Sequence, residues 1–337
     1  MLNFNEKRYL SIQSSAMANA QEIDQVIGSL VRKGFDNIYF LGTGGVAFLM
    51  QPAANLLQRK SRFPAYTAYS AELVIAGSVN LTKTSIVVMP SLSGTTKESV
   101  ALLGKLQATG AKVITLVGHK ETPLGQQGDH VFVNFAEDDT SSESFYLQSL
   151  LIALSLMKAK GELSNYDKLI GGLQKLPKLL LDAKEAFEDK AEKIADKIAA
   201  SSYHIFTGAG NTWPEAHYYG MCILEEMQWI RTRPVHASDF FHGALELIDN
   251  DVSLFVFQGE DEFRPLTERV IAFANQYSKK VTVLDTRDIA LGDLDADVRA
   301  LVGPIVLAAV LERVSAHLEV KRNHPLVTRR YYKRVVY

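Results

Sequence analysis

Residues 37–58, NIYFLGTGGVAFLMQPAANLLQ, give the clearest indication of the fold. Asn37 to Leu41 form a short, mostly apolar run with an aromatic centre, which is typical of a buried strand. The glycine-rich segment 42–45 follows at once and permits a sharp turn. Apolar residues then recur at helical spacing over residues 46–58. A strand that leads through a glycine turn into a helix is the first half of a βαβ unit.

The same alternation continues to residue 160. Continuous runs of β-branched residues between glycine turns, separated by helical patterns, indicate a parallel sheet covered on both faces. We therefore place a first domain at residues 35–160, after an N-terminal helix within residues 1–34. Further strands are predicted at 65–69, 85–89, 112–117 and 130–133, with helices at 70–76, 97–108 and 142–160.

The pattern starts again after residue 200. Residues 161–200 are charged and predicted to be helical, and we interpret them as a connector. A second domain is predicted at 201–322, followed by a C-terminal tail at 323–337. Its predicted strands are 203–207, 252–257 and 281–284, with a helix at 303–320. The predicted fold class is α/β, with two tandem doubly wound domains, each a mostly parallel five-stranded sheet flanked by helices.

Composition excludes several classes of protein. The 337 residues are 47% hydrophobic and 22% charged, which is typical of globular domains and sufficient for two cores. A formal net charge of −2 provides no basic surface for nucleic acid. The single Cys222 excludes an internal disulfide framework and fits a reducing compartment. Because no apolar stretch is judged long enough to span a membrane, we expect a cytoplasmic protein without membrane contact.

Residues 91–96, SLSGTT, are the more specific of two candidate phosphate-binding loops. Four hydroxyls and a glycine lie between a predicted buried strand and the next helix. A helix N-cap needs only one hydroxyl, whereas several hydroxyls and the free N–H groups of a helix start can surround a phosphate dianion. The earlier turn at Thr43, Gly44 and Gly45 can bind an anion in the same way, although a plain strand–helix turn explains it equally well.

Residues 224–248, LEEMQWIRTRPVHASDFFHGALELI, contain the candidate catalytic groups. Glu226 ends an apolar run, and His242 follows sixteen residues later, just before Gly243. Only one of the adjacent Glu225 and Glu226 is expected to face inward from a helix. A carboxylate in an apolar segment is costly unless it has a partner or a function. Together, a carboxylate and an imidazole can supply a general base and a general acid.

These motifs resemble the phosphosugar-binding SIS family, whose name comes from sugar isomerase. The family's Ser-x-Ser-Gly-x-Thr loop is matched at residues 91–96, and the resemblance implies that this loop binds a sugar phosphate. The glycine turn at 43–45 matches as well, but Val46 stands where the family usually has serine. The implied ligand contacts in the 91–96 loop are the side chains of Ser91, Ser93 and Thr96 and the backbone amides of Leu92 and Gly94.

The second motif is similar to the isomerase domain of glucosamine-6-phosphate synthase. There, a glutamate moves a proton between C1 and C2, and a histidine sixteen residues later, followed by Gly-Pro, assists ring opening. By resemblance these roles fall to Glu226 and His242. Two departures are Ala244 in place of the proline and Ile223 in place of a lysine three residues before the glutamate. The missing lysine argues against a synthase-type isomerase.

Within the family, the chain looks most similar to the deglycases of fructosamine 6-phosphates. The similar segments are EMQW at 226–229, FFHG at 240–243 and HPLVTRRY at 324–331. The resemblance implies that the tail lies at the active site and that two subunits share each site, with the histidine coming from the neighbour. A homodimer or higher oligomer is therefore expected. The tail residues implied to bind substrate are His324, Arg330 and Arg334.

The predicted activity is cleavage of a phosphorylated Amadori product, such as a fructose-amino acid 6-phosphate, to glucose 6-phosphate and the free amine. Acid–base proton transfer and hydrolysis of an imine suffice, so neither a metal nor a cofactor is expected. Two alternatives stay open: an aldose–ketose or amino-sugar phosphate isomerase, and a non-catalytic sugar-phosphate sensor. We find no glutaminase domain or helix-turn-helix before residue 35, and the identity of the amine cannot be read from the sequence.

Overall fold

The structure is a computed structural model that describes residues 1–135, 140–332 and 334–336, without the side chains of residues 140 and 141. It divides into two compact units. We call Lys7–Pro177 the N-terminal unit. The C-terminal unit comprises Lys178–Tyr337 together with Met1–Glu6. The division at residue 177 falls inside the segment predicted to connect two domains.

The N-terminal unit contains the predicted five-stranded parallel sheet. Its strands are β1 (Asn37–Gly42), β2 (Ala65–Tyr69), β3 (Ser85–Ser91), β4 (Lys112–Val117) and β5 (His130–Val133). They lie in the order β2-β1-β3-β4-β5, with every neighbouring pair parallel. The central strands β1 and β3 are buried along their whole length. Their apolar runs lack polar alternation because neither face meets solvent.

Helices flank this sheet. The segment predicted as one N-terminal helix forms two, α1 (Glu6–Ala18) and α2 (Ala20–Arg32). The others are α3 (Gly45–Lys60), α4 (Ser70–Ala76), α5 (Lys97–Thr109), α6 (Pro123–Gln127), α7 (Thr140–Ala159) and α8 (Tyr166–Leu173). Leu102 and Leu106 of α5 join the same apolar cluster as Leu41 and Met89 of the strands. This packing fixes the helix that starts directly after the 91–96 loop.

The C-terminal unit has a parallel sheet of four strands within its described residues, which corrects the prediction of five. The strands are β6 (Tyr203–Gly208), β7 (Arg231–His236), β8 (Ser253–Gln258) and β9 (Val281–Asp285), in the order β7-β6-β8-β9. This order repeats that of the first four strands of the N-terminal sheet. The strand β7, RTRPVH, was not predicted from the sequence because it carries two arginines and contains Pro234. Proline is tolerated on such an edge strand.

The longest helix of the C-terminal unit forms its core. Its helices are α9 (Leu176–Ala199), α10 (Trp213–Tyr218), α11 (Glu226–Gln228), α12 (Arg264–Tyr277) and α13 (Ala296–Arg322). By length and composition α13 could cross a membrane, so the expectation that no apolar stretch reaches that length is wrong for it. However, 83% of its apolar window is buried in the structure, as expected for a core helix that is apolar all round.

Buried charges join α9 to α13. The fully buried Lys184 donates to the carbonyl of Ala309 at 2.8 Å and to Oε2 of Glu312 at 2.9 Å. The equally buried Arg313 donates to Oε2 of Glu188 at 3.0 Å. Breaking one partner of such a pair would leave an uncompensated buried charge. These pairs therefore fix the position of α13 along α9. They also fix the position of the tail that follows α13.

Candidate functional site

The carboxyl ends of β1 and β3 lie side by side in the N-terminal unit, where the strand order changes direction. Doubly wound sheets bind ligands at such a switch point. The predicted glycine turn lies here, because Gly42 ends β1 and Gly45 opens α3. Gly44 between them has a φ of +63°, which favours glycine. A Cβ on Gly42 would lie 2.5 Å from the Cα of Ala47, so the turn also requires glycine there.

Thr43 supplies the polar side chain of this turn. Its hydroxyl oxygen is buried and has no hydrogen-bond partner within the described residues. Leaving a buried polar group unpaired costs about 1–3 kcal/mol, so such groups in native proteins require an explanation. A ligand that accepts or donates a hydrogen bond at the switch point would provide one. Val46, the second residue of α3, adds no hydroxyl to the same site.

The 91–96 loop connects β3 to α5 at the same edge of the sheet. The hydroxyl of the buried Ser91 accepts the N–H of Gly94 at 3.1 Å and lies 3.0 Å from the hydroxyl of Thr96. Gly94 has a φ of +62°, and a Cβ there would lie only 1.9 Å from Oγ1 of Thr122, the N-cap of α6. The backbone therefore bends in a way that only glycine allows. The bend brings the side chains of Ser91 and Thr96 together.

Two details of this loop bear on the predicted phosphate contacts. Thr96 precedes α5, but no side-chain capping bond is present there among the described residues, so its hydroxyl is not used as a helix cap. The N–H of Gly94 already donates to Ser91, which contradicts the expectation that it is free for a ligand. Ser93 accepts the N–H of Thr95 at 3.4 Å and stays partly exposed, as does Leu92. The hydroxyls, rather than the glycine amide, remain the candidate ligand contacts.

The switch point of the C-terminal unit differs from that of the N-terminal unit. It lies between β6 and β8, where Gly210 has a φ of +55°. The N–H of Asn211 donates to Oδ2 of Asp261 at 2.7 Å. A Cβ on Gly210 would lie 2.4 Å from the same oxygen. A carboxylate of the chain thus takes the N–H group that an external anion would use, and its charge would repel a phosphate.

The helix that leads to Glu226 is not α-helical throughout. Residues 213–228 run without interruption from α10 through a π-helical segment, Tyr219–Glu225, into the single turn of α11. Such π segments occur frequently at functional sites. Burial raises the pKa of Cys222 inside the segment, so this thiol stays protonated and unreactive. The helix ends at Trp229, a non-glycine residue with a φ of +54°.

The two adjacent glutamates have different partners. Glu225 is exposed and accepts the N–H and the hydroxyl of Thr232 at 3.1 and 2.7 Å. The side chain of Glu226 is 37% exposed, and its Oε1 accepts Nε of Arg329 at 3.0 Å. Neither glutamate is buried, which corrects the expectation that one faces inward. Glu226 is accessible and is held by an arginine that the sequence analysis did not select, because no spacing rule connects residues 103 positions apart.

The tail after α13 folds back onto this helix end. The carbonyl of His324 accepts Nε2 of Gln228 at 2.7 Å, and its ring meets that of Trp229 edge-on at 4.6 Å. The guanidinium of Arg330 lies 4.1 Å from the centre of the same Trp229 ring. The predicted residues His324 and Arg330 are thus brought to the helix end that carries Glu226. Arg334 is exposed, and its side chain makes no hydrogen bond or ion pair in the part of the chain that the structure describes.

His242 lies on an exposed turn after β7 of the C-terminal unit. Its N–H donates to the carbonyl of Asp239 at 2.9 Å, and the following Gly243 has a φ of +133°. The turn is anchored by Phe240, which is fully buried. Within the described chain, the imidazole makes no hydrogen bond to Glu226. Burial lowers the pKa of the nearby His236 below the ordinary 6.5.

Comparison with known proteins gives consistent results. The model of the SIS domain matches residues 33–158. The chain is 31% identical over 327 residues to the fructosamine deglycase FrlB of Bacillus subtilis, with coverage of 96% of this chain and 99% of that protein. It is 24% identical over 311 residues to the fructoselysine 6-phosphate deglycase of Escherichia coli, covering 92% and 89%. The crystal structure of a B. subtilis protein described as a phosphosugar isomerase superimposes on this chain with a TM-score of 0.87. The two are 30% identical, and the alignment covers 96% of this chain and 99% of that one.

Proposed function

The chain belongs to the SIS domain family, and we propose that it is a deglycase that releases glucose 6-phosphate and an amine from a 6-phosphorylated fructosamine. The observation that carries the proposal is the accessible carboxylate of Glu226, held 3.0 Å from Arg329 at the end of a π-helical segment. Support also comes from the similarity to two relatives, a fructosamine deglycase and a fructoselysine 6-phosphate deglycase.

We assign phosphate binding to the switch point of the N-terminal unit. Its candidate groups are the hydroxyls of Thr43, Ser91, Ser93 and Thr96 beside the start of α5. Hydroxyls and helix N-terminal N–H groups bind a phosphate dianion without a cationic side chain. The phosphate is remote from C1 and C2, so its binding energy can position the sugar for the reaction.

The proposed reaction consumes one water. His242 opens the sugar ring by acid–base catalysis, which gives the C2 ketone with the amine on C1. Glu226 removes a proton from C1 and returns it to C2, and the proton of the amine nitrogen passes to the oxygen on C2, so the C1–N bond becomes an imine and C2 becomes an alcohol. Water then adds to the imine carbon, and the C–N bond breaks to give the C1 aldehyde of glucose 6-phosphate and the free amine. Every step is a proton transfer or a hydrolysis, so the proposal includes no metal and no redox cofactor.

Ile223 favours this reaction over that of a synthase-type isomerase. The synthase resemblance calls for a lysine three residues before the glutamate, but Ile223 is 2% exposed and packs in the apolar interior. A lysine there would have to leave the core or be buried with a partner. The proposed deglycase reaction requires an acid and a base but no additional amine.

The test is to measure release of glucose 6-phosphate from a panel of phosphorylated Amadori compounds. Glu226→Gln keeps the shape of the side chain and removes the base. We expect turnover to drop by about a hundredfold or more, with little change in the affinity for the phosphorylated substrate. Interconversion of fructose 6-phosphate and glucose 6-phosphate, with no amine released from the panel, would instead support the isomerase.

The neighbouring Glu225 offers a matched control. It is exposed, and its contacts are with Thr232. Glu225→Gln keeps an oxygen acceptor for these bonds and should retain full activity. If Glu226→Gln kept most of its turnover, the assignment of the base would be wrong.

A further inference from the structure

An aromatic cluster holds the turn that carries His242. Phe240 is fully buried, and the ring of the next residue, Phe241, meets it edge-on with the ring centres 5.2 Å apart. Phe273 of α12 contacts both rings, at 6.1 Å from Phe240 and 5.6 Å from Phe241. Edge-to-face pairs contribute about 0.5–1.5 kcal/mol each beyond the area that they bury. Two consecutive side chains of the turn are therefore fixed against one residue of the helix.

Arg269 adds a charged contact to this cluster. Its guanidinium carbon lies 4.0 Å from the centre of the Phe241 ring, which is the geometry of a cation–π contact. Arg269 lies one helical turn before Phe273, so both side chains leave α12 on the same face. The guanidinium is exposed and makes no hydrogen bond or ion pair within the described residues. The ring of Phe241 is thus the contact through which Arg269 acts on the turn.

The imidazole of His242 has no comparable support of its own. It is exposed and makes no hydrogen bond or ion pair in the part of the chain that the structure describes. The following residue, Gly243, has a φ of +133°, a conformation that glycine adopts more readily than any other residue. The position of the imidazole therefore depends on the residues that precede it in the turn. Misplacing a catalytic group by about 1 Å can cost about a hundredfold in rate.

We propose that the contact of Arg269 with Phe241 positions His242, so that Arg269 is a positioning residue for the opening of the sugar ring. This inference rests on the proposed function, in which His242 opens the ring by acid–base catalysis. In a 6-phosphorylated fructosamine the ring oxygen is the one on C5, because the oxygen on C6 carries the phosphate. Opening breaks the bond between C2 and this oxygen, which gains a proton, while the hydroxyl on C2 loses one. A displaced imidazole slows this step and leaves the proton transfer by Glu226 unchanged.

The test compares amine release from a 6-phosphorylated fructosamine and from its 5-deoxy analogue, which lacks the ring oxygen and stays open. Arg269→Gln should lower kcat for the ring-forming substrate by about 3- to 10-fold, as for a lost cation–π contact, without lowering kcat for the analogue. Phe241→Leu also removes the edge-to-face contacts, so the loss for the ring-forming substrate should reach about 10- to 100-fold. Arg269→Lys keeps a cation and should retain most of the wild-type rate with both substrates.

Lys190→Gln is the matched control. It removes a cation from another ring of the same unit, since Nζ of Lys190 lies 5.3 Å from the centre of the Phe187 ring in α9. We expect wild-type turnover of both substrates in this variant. His242→Ala provides the reference, because it should lower turnover of the ring-forming substrate by a larger factor than turnover of the analogue.

The outcomes separate this inference from the proposed function. An equal loss with both substrates in Arg269→Gln would mean a merely structural role and would overturn the inference. Wild-type turnover of both substrates in Arg269→Gln would overturn it as well, while the deglycase activity stood. An equal loss with both substrates in His242→Ala would remove ring opening from His242 and the inference with it. Release of amine from neither substrate, nor from any fructosamine 6-phosphate of the panel, would overturn the proposed function itself.

Discussion

An ion pair connects the proposed base to the tail. Nε of Arg329 donates to Glu226, while its Nη1 donates to the carbonyls of Leu326 and Thr328 at 2.6 and 3.0 Å. The tail backbone thus holds the guanidinium in the orientation in which it contacts the carboxylate. The sequence predicted Glu226 and a tail at the site from two separate motifs. It could not predict Arg329 as the partner, because this contact depends on how the fold returns the tail to α11.

We predict that Arg329 positions Glu226 rather than binding the phosphate. Arg329→Gln should lower kcat by about 10- to 100-fold, as for a lost charge-assisted hydrogen bond, while KM for the phosphorylated substrate changes little. Arg329→Lys should recover only part of kcat, because an ammonium cannot reproduce the fork. Steady-state kinetics of both variants, with thermal melting as a check of folding, would measure this. A rise in KM at unchanged kcat would instead make Arg329 a substrate contact.

At the scale of the element, loops rather than strands distinguish the two units. Eight of the nine strands were predicted in place, because each is a run of apolar or β-branched residues. β7 was missed because an edge strand can be charged and contain proline without loss of its pairing. The loop after β3 was predicted as a phosphate loop from its composition. Its internal bond from Gly94 to Ser91 could not be predicted, since it depends on the bend at Gly94.

The bend at Gly94 can be tested by substitution. Gly94→Ala would place a Cβ 1.9 Å from Oγ1 of Thr122 at a φ of +62°, so the loop must move. We expect a loss of about 2 kcal/mol or more in the free energy of unfolding, and at least about tenfold weaker binding of glucose 6-phosphate. Denaturant unfolding and calorimetry with glucose 6-phosphate would measure the two effects.

Gly104 in α5 is the control, because a Cβ there meets nothing within 4 Å. Gly104→Ala should keep the affinity and gain about 0.5–1 kcal/mol of stability, since alanine favours the helix. Unchanged affinity for glucose 6-phosphate in Gly94→Ala would mean that the phosphate binds elsewhere.

Across the whole molecule, the two units share a strand order but differ in the polar groups at the switch point. In both sheets the second strand lies at the edge. The order in which strands are added reverses between the first and third strands, while all strands stay parallel. The N-terminal unit has the hydroxyls of Ser91 and Thr96 at this point, whereas in the C-terminal unit Asp261 accepts the N–H of Asn211 there. The repeated pattern in the sequence predicted the shared plan. It did not reveal the difference, because Asp261 lies fifty residues from the N–H group that it bonds.

We further predict a homodimer in which Glu226 and His242 of one site come from different subunits. Glu226→Gln and His242→Ala, each inactive alone, should then complement one another after subunit exchange. A mixed dimer has one intact site, so random exchange should restore about a quarter of the wild-type activity. The measurement is the activity of the mixture, with exchange followed by native mass spectrometry. Absence of activity despite confirmed exchange would place both residues in one subunit.

The π-helical segment before Glu226 has an evolutionary consequence. A π segment accommodates a residue more than the α-helix it interrupts. Because the segment absorbs this residue, deleting one codon between Tyr219 and Glu225 would let the helix close with regular α-helical bonds and leave the chain beyond the deletion in its present orientation. Glu226 would keep its contact with Arg329 in such a protein. The segment thus marks a place where the helix can gain or lose one residue during evolution without moving the carboxylate that follows it.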